Sequence, residues 1–195
     1  MSENVFKVLF VMGALAYLVI LGMGRSSNRK NTVADRRETI VHSLLSTLSF
    51  LGTHVIPLIY VFTPWLSFAD YQLPVWAGWL GLLIFACALV LIRKAHLDLG
   101  SNWSVRMEVV EGQKLVTEGV YDIVRHPIYA AMWLWGFGQM LVLQNWIAGP
   151  AALVLFVPIY FYRIPREERM MTDHFGDEYR GYMKQTGRII PKIGR

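Results

Sequence analysis

Two short stretches of this chain hold most of the residues that could do chemistry. The first is Arg125-His126-Pro127. Proline suits the first position of a helix, where its missing N–H is harmless and its φ is already set. A helix opening at Pro127 would place Arg125 and His126 at its positive end, beside unpaired backbone N–H groups, a mouth that favours an anionic or electron-rich ligand. The plainer reading has Arg125 reaching to lipid phosphate and His126 capping the helix. The second stretch is Arg163-Ile164-Pro165-Arg166-Glu167-Glu168-Arg169. Arg163 and Glu167, four apart, would share a helix face, although Pro165 removes a helical hydrogen bond and is expected to kink the chain. A carboxylate near lipid is costly unless paired or wet, which marks Glu167 and Glu168 as functional candidates. The alternative is a solvated acidic segment paired with Arg166 or Arg169.

Other chemistries lack their signatures. There is no phosphate-binding Gly-x-x-x-x-Gly-Lys loop, no Gly-x-Gly-x-x-Gly turn and no His-Glu-x-x-His metal helix. His42, His54 and His96 are too far apart in sequence for a local metal-ligand pattern, so no metal is expected. The single cysteine, Cys87, builds neither an intrachain disulfide nor a thiolate metal site.

The elements that must position these residues are apolar. Of 195 residues, 54% are apolar and 17% charged, against roughly 45–50% and about 25% in a soluble domain. Five runs approach the roughly 20 apolar residues that cross a bilayer: Val5–Met23, Thr39–Pro64, Val75–Ile92, Ile128–Leu143 and Trp146–Tyr162. The last two, separated by Gln144 and Asn145, read as a tight helical hairpin. The first run is too long, and its leader too acidic, for a cleavable signal. The aromatics Trp65, Tyr71, Trp76, Trp79, Trp133, Trp135 and Trp146 read as an interfacial belt.

Eighteen of the nineteen basic residues lie in segments 24–38, 93–125 and 163–195; the other is Lys7. With five spans these segments share one side, which the positive-inside rule makes cytoplasmic, leaving the N-terminus outside. The net charge of +5 is then a topology signal rather than a nucleic-acid one; no nucleic acid and no obligate protein partner is implied. The loop before Pro127 is too long for a mere connector. It carries Leu99, Trp103, Val105, Met107, Val109, Val110, Leu115 and Val116, so it can pack. Val105–Val110 alternates like a hairpin arm, with Glu111–Gly112 as its turn.

The run Gly119-Val-Tyr-Asp-Ile-Val-Arg-His-Pro-Ile-Tyr129, a hairpin, then Arg163-x-x-x-Glu167-Glu168, then Tyr179 and Tyr182 before Ile189-Ile190-Pro191, resembles the isoprenylcysteine carboxyl methyltransferase family, related to membrane phospholipid methyltransferases. The resemblance covers about Leu99–Ile193 and suits a compact five-span member of prokaryotic type. It implies an all-α integral membrane fold: five transmembrane helices with the last two as a hairpin, a cytoplasmic cofactor-binding loop and a C-terminal amphipathic helix. Residues 1–92 would hold three spans and the basic loop 24–38. Residues 93–195 would form the catalytic core, with a cofactor loop 93–126, a hairpin 127–162 and a cytoplasmic helix 163–195.

The resemblance further implies S-adenosylmethionine as cofactor and S-adenosylhomocysteine as product. Its pocket would comprise Gln113, Lys114, Leu115, Val116, Tyr121, Arg125, His126, Pro127, Ile128 and Glu167. Arg163 would hold the acceptor, a prenylated cysteine carboxylate or similar isoprenoid-linked group reached through the bilayer. Two alternatives stand beside this reading: a phosphatidylethanolamine-type N-methyltransferase, and an NADPH-dependent sterol-type reductase. The membrane would be the cell membrane in a prokaryote and the endoplasmic reticulum in a eukaryote.

Overall fold

The structure is a computed structural model that describes residues 2–27, 33–37, 39–102, 108–110 and 112–192. Arg29, Lys30, Trp103, Val105, Arg106, Met107 and Glu111 lie outside the described residues.

Helix α1 (Ser2–Ser27) is followed by strand β1 (Val33–Arg36). The second apolar run forms one helical stretch, α2 (Ile40–Phe50), a π segment at Leu51–Val55 and α3 (Ile56–Phe62). Thr39 caps it, its hydroxyl accepting from His42 N–H at 3.2 Å. The ladder widens just ahead of Pro57, which has no N–H to donate back up the helix. Helix α4 (Val75–Leu99) follows, then strand β2 (Glu108–Val110), the short α5 (Val120–Ile123), α6 (Pro127–Leu143), α7 (Ala151–Phe175) and α8 (Asp177–Gln185).

Among the described residues, three helical stretches are long and apolar enough to cross a membrane: Asn4–Met23, Ile40–Phe62 and Val75–Leu99, with mean hydropathies of 2.3, 1.6 and 2.5. Their outward faces carry Val19, Ile40, Leu44, Trp76 and Leu83, all exposed, as lipid contact requires. Helix α6 is apolar but shorter.

The core sits where α1, α4 and α6 meet. Gly81 of α4 and Gly138 of α6 face each other, and an added Cβ at Gly138 would lie 2.9 Å from the Gly81 carbonyl. Small residues of this kind let two helices approach closely. Phe10 and Phe85 pack on the fully buried Trp135, the Phe85 and Trp135 rings 4.4 Å apart. Trp135 Nε1 donates to Gln139 Oε1 at 3.0 Å, and Gln139 Nε2 donates to the carbonyls of Gly52 and Ala148. This buried amide, satisfied on both ends, ties the π segment to the turn ahead of α7.

Three expectations change. The short strand does not fold back on a local arm: β2 pairs antiparallel with β1, so the first basic loop and the long loop form one two-stranded ribbon. The residues between α6 and α7 do more than connect. Asn145 is fully buried, its Nδ2 donating to Leu66 O and Asp70 Oδ1 and its Oδ1 accepting from Ile147 and Ala148 N–H; α7 therefore starts at Ala151 rather than Trp146. The chain also does not break at Arg163. Helix α7 continues through Pro158 and Pro165 to Phe175, and Gly176, at φ 58°, makes the break before α8.

Candidate active site

The residues after Pro165 approach the start of α6 because the chain beyond α8 returns to it. Arg125 N–H donates to Gly187 O and His126 N–H to Arg188 O, both at 2.8 Å. Pro127 takes the first turn of α6, as its chemistry requires. Upstream, Gly119 turns at φ 64° against the Asp98 carboxylate, which accepts from Val120 N–H at 2.8 Å. A side chain at Gly119 would collide with that carboxylate. The turn delivers Tyr121 into the interior, where Tyr182 Oη donates to its carbonyl at 2.6 Å.

A cavity of about 650 Å³ opens between these elements. All eleven residues singled out from the sequence, from Gln113 to Glu167, line it. Its polar end is walled by the 113–116 loop, Tyr121, His126 and Glu167; its other end runs between α1 and α2 past Leu18, Leu21 and Phe50.

Glu167 is the charged centre. Its Oε2 accepts from Tyr129 Oη at 2.8 Å and from Arg163 Nε at 3.2 Å. Its Oε1 accepts no hydrogen bond among the described residues. Burial alone would raise its pKa; the adjacent Arg163, with His126 and the Tyr129 hydrogen bond, outweighs burial and holds it below the ordinary range. Arg163 Nη1 donates to Nε2 of the buried His42 at 3.1 Å, and its guanidinium lies 5.9 Å from the Tyr129 ring centre. Arg163 and Glu167 thus meet on one face of an unbroken helix despite Pro165.

Arg125 borders the cavity, but its guanidinium is committed elsewhere. Nε and Nη2 donate to Glu168 Oε1, at 3.3 and 3.0 Å, while Nη1 donates to the carbonyls of Met183 and Thr186. It works as a clamp on the end of α8 rather than as a ligand arm. Glu168 also accepts from Arg188 and lies 3.4 Å from His126 Nε2. Burial pushes the Glu168 pKa up, yet His126, Arg188 and Arg125 together bring it down to about 2. Tyr121 and Tyr179 are pushed up by burial and by the nearby carboxylates, so both stay protonated at neutral pH. The site therefore offers ionised carboxylates, a guanidinium and phenol donors.

His42 and Tyr129 are the contributors that sequence reasoning left out. Tyr129 sits within the Arg-His-Pro-x-Tyr run and was identifiable there. His42 had no local signal, since its contact spans 121 residues.

Residues 79–173 match the isoprenylcysteine carboxyl methyltransferase family, a segment that contains all eleven of the residues picked from the sequence. Over that segment the chain is similar to this family. A protein-S-isoprenylcysteine O-methyltransferase of Tribolium castaneum is 35% identical over 120 residues, 60% of this chain and 43% of that protein. The human protein-S-isoprenylcysteine O-methyltransferase is 30% identical over 159 residues, 76% of this chain and 56% of its own. The solved structure of a eukaryotic intramembrane Ras methyltransferase, an isoprenylcysteine carboxyl methyltransferase, superposes with a TM-score of 0.51 at 27% identity, covering 80% of this chain and 54% of that one. The chain thus spans about half the length of these relatives. With its apolar helices and its likeness to this membrane enzyme, the chain is an integral membrane protein.

Proposed function

We propose that this protein is a member of the isoprenylcysteine carboxyl methyltransferase family, an S-adenosylmethionine-dependent methyltransferase that esterifies the carboxylate of a lipophilic acceptor, a prenylated cysteine or a similar isoprenoid-linked group. The observation that carries this reading is one continuous cavity that reaches from the charged Glu167 and the 113–116 loop to the mainly apolar side chains between α1 and α2. It fits a water-soluble cofactor at one end and a lipid at the other.

The residues present suit the cofactor. The cavity volume of about 650 Å³ falls in the range of small-molecule sites, roughly 300–1,000 Å³. Glu167 is an ionised carboxylate with one oxygen open to ribose hydroxyls or an ammonium. The Leu115-Val116 backbone offers groups for an adenine edge, and Tyr121 a face for its ring. When bound, the cofactor supplies a methyl carbon made electrophilic by a sulfonium.

The chain's own residues position and exclude. Tyr129 fixes Glu167 Oε2, and Glu167 and His42 fix Arg163. Arg163 holds the acceptor carboxylate by charge-assisted hydrogen bonds. A carboxylate is already ionised at neutral pH, so positioning and water exclusion carry the rate. The phosphatidylethanolamine alternative needs an amine proton removed. Glu168, with its lowered pKa, is a weak base for that step, which leaves His126 to take the proton; a carboxylate acceptor needs no such step.

We further propose that α6 and the apolar half of α7 complete five spans, with the basic segments cytoplasmic and the N-terminus outside. Cysteine-accessibility labelling of the two faces checks the topology. The function is tested in detergent-purified protein. S-adenosylhomocysteine should bind by calorimetry and NADPH should not. Radiolabelled methyl transfer should mark N-acetyl-S-farnesylcysteine. NADPH binding in place of S-adenosylhomocysteine, or label in phosphatidylethanolamine alone, would overturn the assignment.

A further inference from the structure

The apolar end of the cavity is not wholly apolar. Ser46, Ser49, Thr53 and His54 of the α2 stretch line it together, at positions i, i+3, i+7 and i+8, a single helix face. Tyr17 of α1 lines it opposite, its ring 5.3 Å from the His54 ring. None of these residues lies in the segment that matches the family.

Their hydrogen bonding is incomplete. Thr53 Oγ1 donates to Ser49 O at 2.9 Å and lies 2.7 Å from His54 Nδ1. The threonine proton is thereby used, so Nδ1–H is the donor to Thr53, and Nε2 of the neutral ring is an acceptor. His54 is 2% exposed, and this Nε2 is buried with no hydrogen-bond partner among the described residues. The hydroxyls of Tyr17, Ser46 and Ser49 make no hydrogen bond among the described residues. Unpaired polar groups are costly in apolar surroundings, and inside a membrane they mark functional sites by default.

We infer that the Tyr17–His54 end of the cavity is a second polar subsite, within the bilayer, that takes a hydroxyl group carried on the acceptor's lipid chain. Nε2 needs a donor, and the Tyr17 and serine hydroxyls can donate in return; an alcohol satisfies both, whereas an ether or a plain hydrocarbon does not. His42, which touches Arg163, is twelve residues before His54, so the hydroxyl lies roughly 18 Å along the helix from the reacting end, at 1.5 Å per residue. The inference rests on the cavity being the acceptor's site. It narrows the substrate class from isoprenoids in general to hydroxylated lipid chains.

The test is methyl transfer to three matched acceptors: N-acetyl-S-farnesylcysteine, its analogue hydroxylated at the far end of the chain, and the methyl ether of that hydroxyl. The hydroxylated acceptor should show kcat/KM about ten-fold above the other two, the scale of one buried hydrogen bond. His54→Phe and Tyr17→Phe should each bring that ratio toward one, and His54→Gln, which keeps an acceptor oxygen, should restore part of it. S-adenosylhomocysteine affinity reports that each variant is folded, and Tyr17→Phe serves if His54→Phe is not. Equal kcat/KM for all three acceptors, or a ratio that both Phe variants leave intact, overturns the inference and leaves the methyltransferase reading standing; ordered water is then what satisfies these groups. No transfer to any acceptor together with no S-adenosylhomocysteine binding overturns both.

Discussion

Glu167 and Glu168 are neighbours in sequence and opposites in surroundings. Glu167 faces the cavity, gives one oxygen to Tyr129 and Arg163, and keeps the other open. Glu168 is turned away from it, with both oxygens taken by Arg125 and Arg188 and with His126 beside them. One carboxylate is left able to bind something; the other is spent on holding the chain end against α6. A charge poised for a ligand and a charge saturated for stability can thus sit one residue apart, because consecutive positions on a helix point about 100° apart.

The sharpest way to break this contrast is to remove the open carboxylate and its arginine partner in turn. Glu167→Ala should abolish S-adenosylhomocysteine binding, a loss of at least about 100-fold given that charged hydrogen bonds each contribute about 1.5–3 kcal/mol. Arg163→Ala should spare that affinity and lose turnover. Calorimetry paired with single-turnover methyl transfer separates the two. Normal cofactor affinity in both variants would remove Glu167 from the site.

Glu168 should respond in stability instead. Its folded pKa of about 2 lies below the usual glutamate value, so its contribution is fully present above about pH 4.5 and is lost as the pH falls toward 2. A shift of that size corresponds to roughly 3 kcal/mol, and the side chain is only 10% exposed. Glu168→Gln should therefore lower stability by about that amount near neutral pH and flatten the acid limb of a melting-temperature profile. An unchanged profile would mean that another group carries the acid sensitivity.

The residues picked from the sequence do gather around one cavity, but how their contacts divide was not legible. The 113–128 segment and the Arg163/Glu167 pair are contiguous or helically spaced, and the cavity gathers all of them. Arg125 lines the cavity, but its other commitments were hidden because the carbonyls that claim it, at Met183 and Thr186, lie about sixty residues on. The β1–β2 ribbon was hidden for the same reason, since neither strand holds enough residues to signal a distant partner. The polar face of α2 was visible in principle. Ser46, Ser49, Thr53 and His54 follow helical spacing inside a run without charge, and only the position of α1 decides that they line a cavity rather than face lipid.

The smallest effect expected is at Arg188. It makes three hydrogen bonds to Glu168 where Arg125 makes two, including the short one at 2.6 Å, and Glu168 raises its pKa. Yet its side chain is 52% exposed whereas that of Arg125 is 9% exposed. Water competes for the exposed guanidinium and screens its attraction, so the ion pair is worth at most about 1 kcal/mol. Its backbone carbonyl, which any residue supplies, still receives His126 N–H. Arg188→Ala should lower the melting temperature only slightly and leave S-adenosylhomocysteine affinity unchanged, while Arg125→Ala, which strands a buried carboxylate, should cost several times more. Equal losses in the two variants would mean that the chain end is held by charge count rather than by the buried clamp.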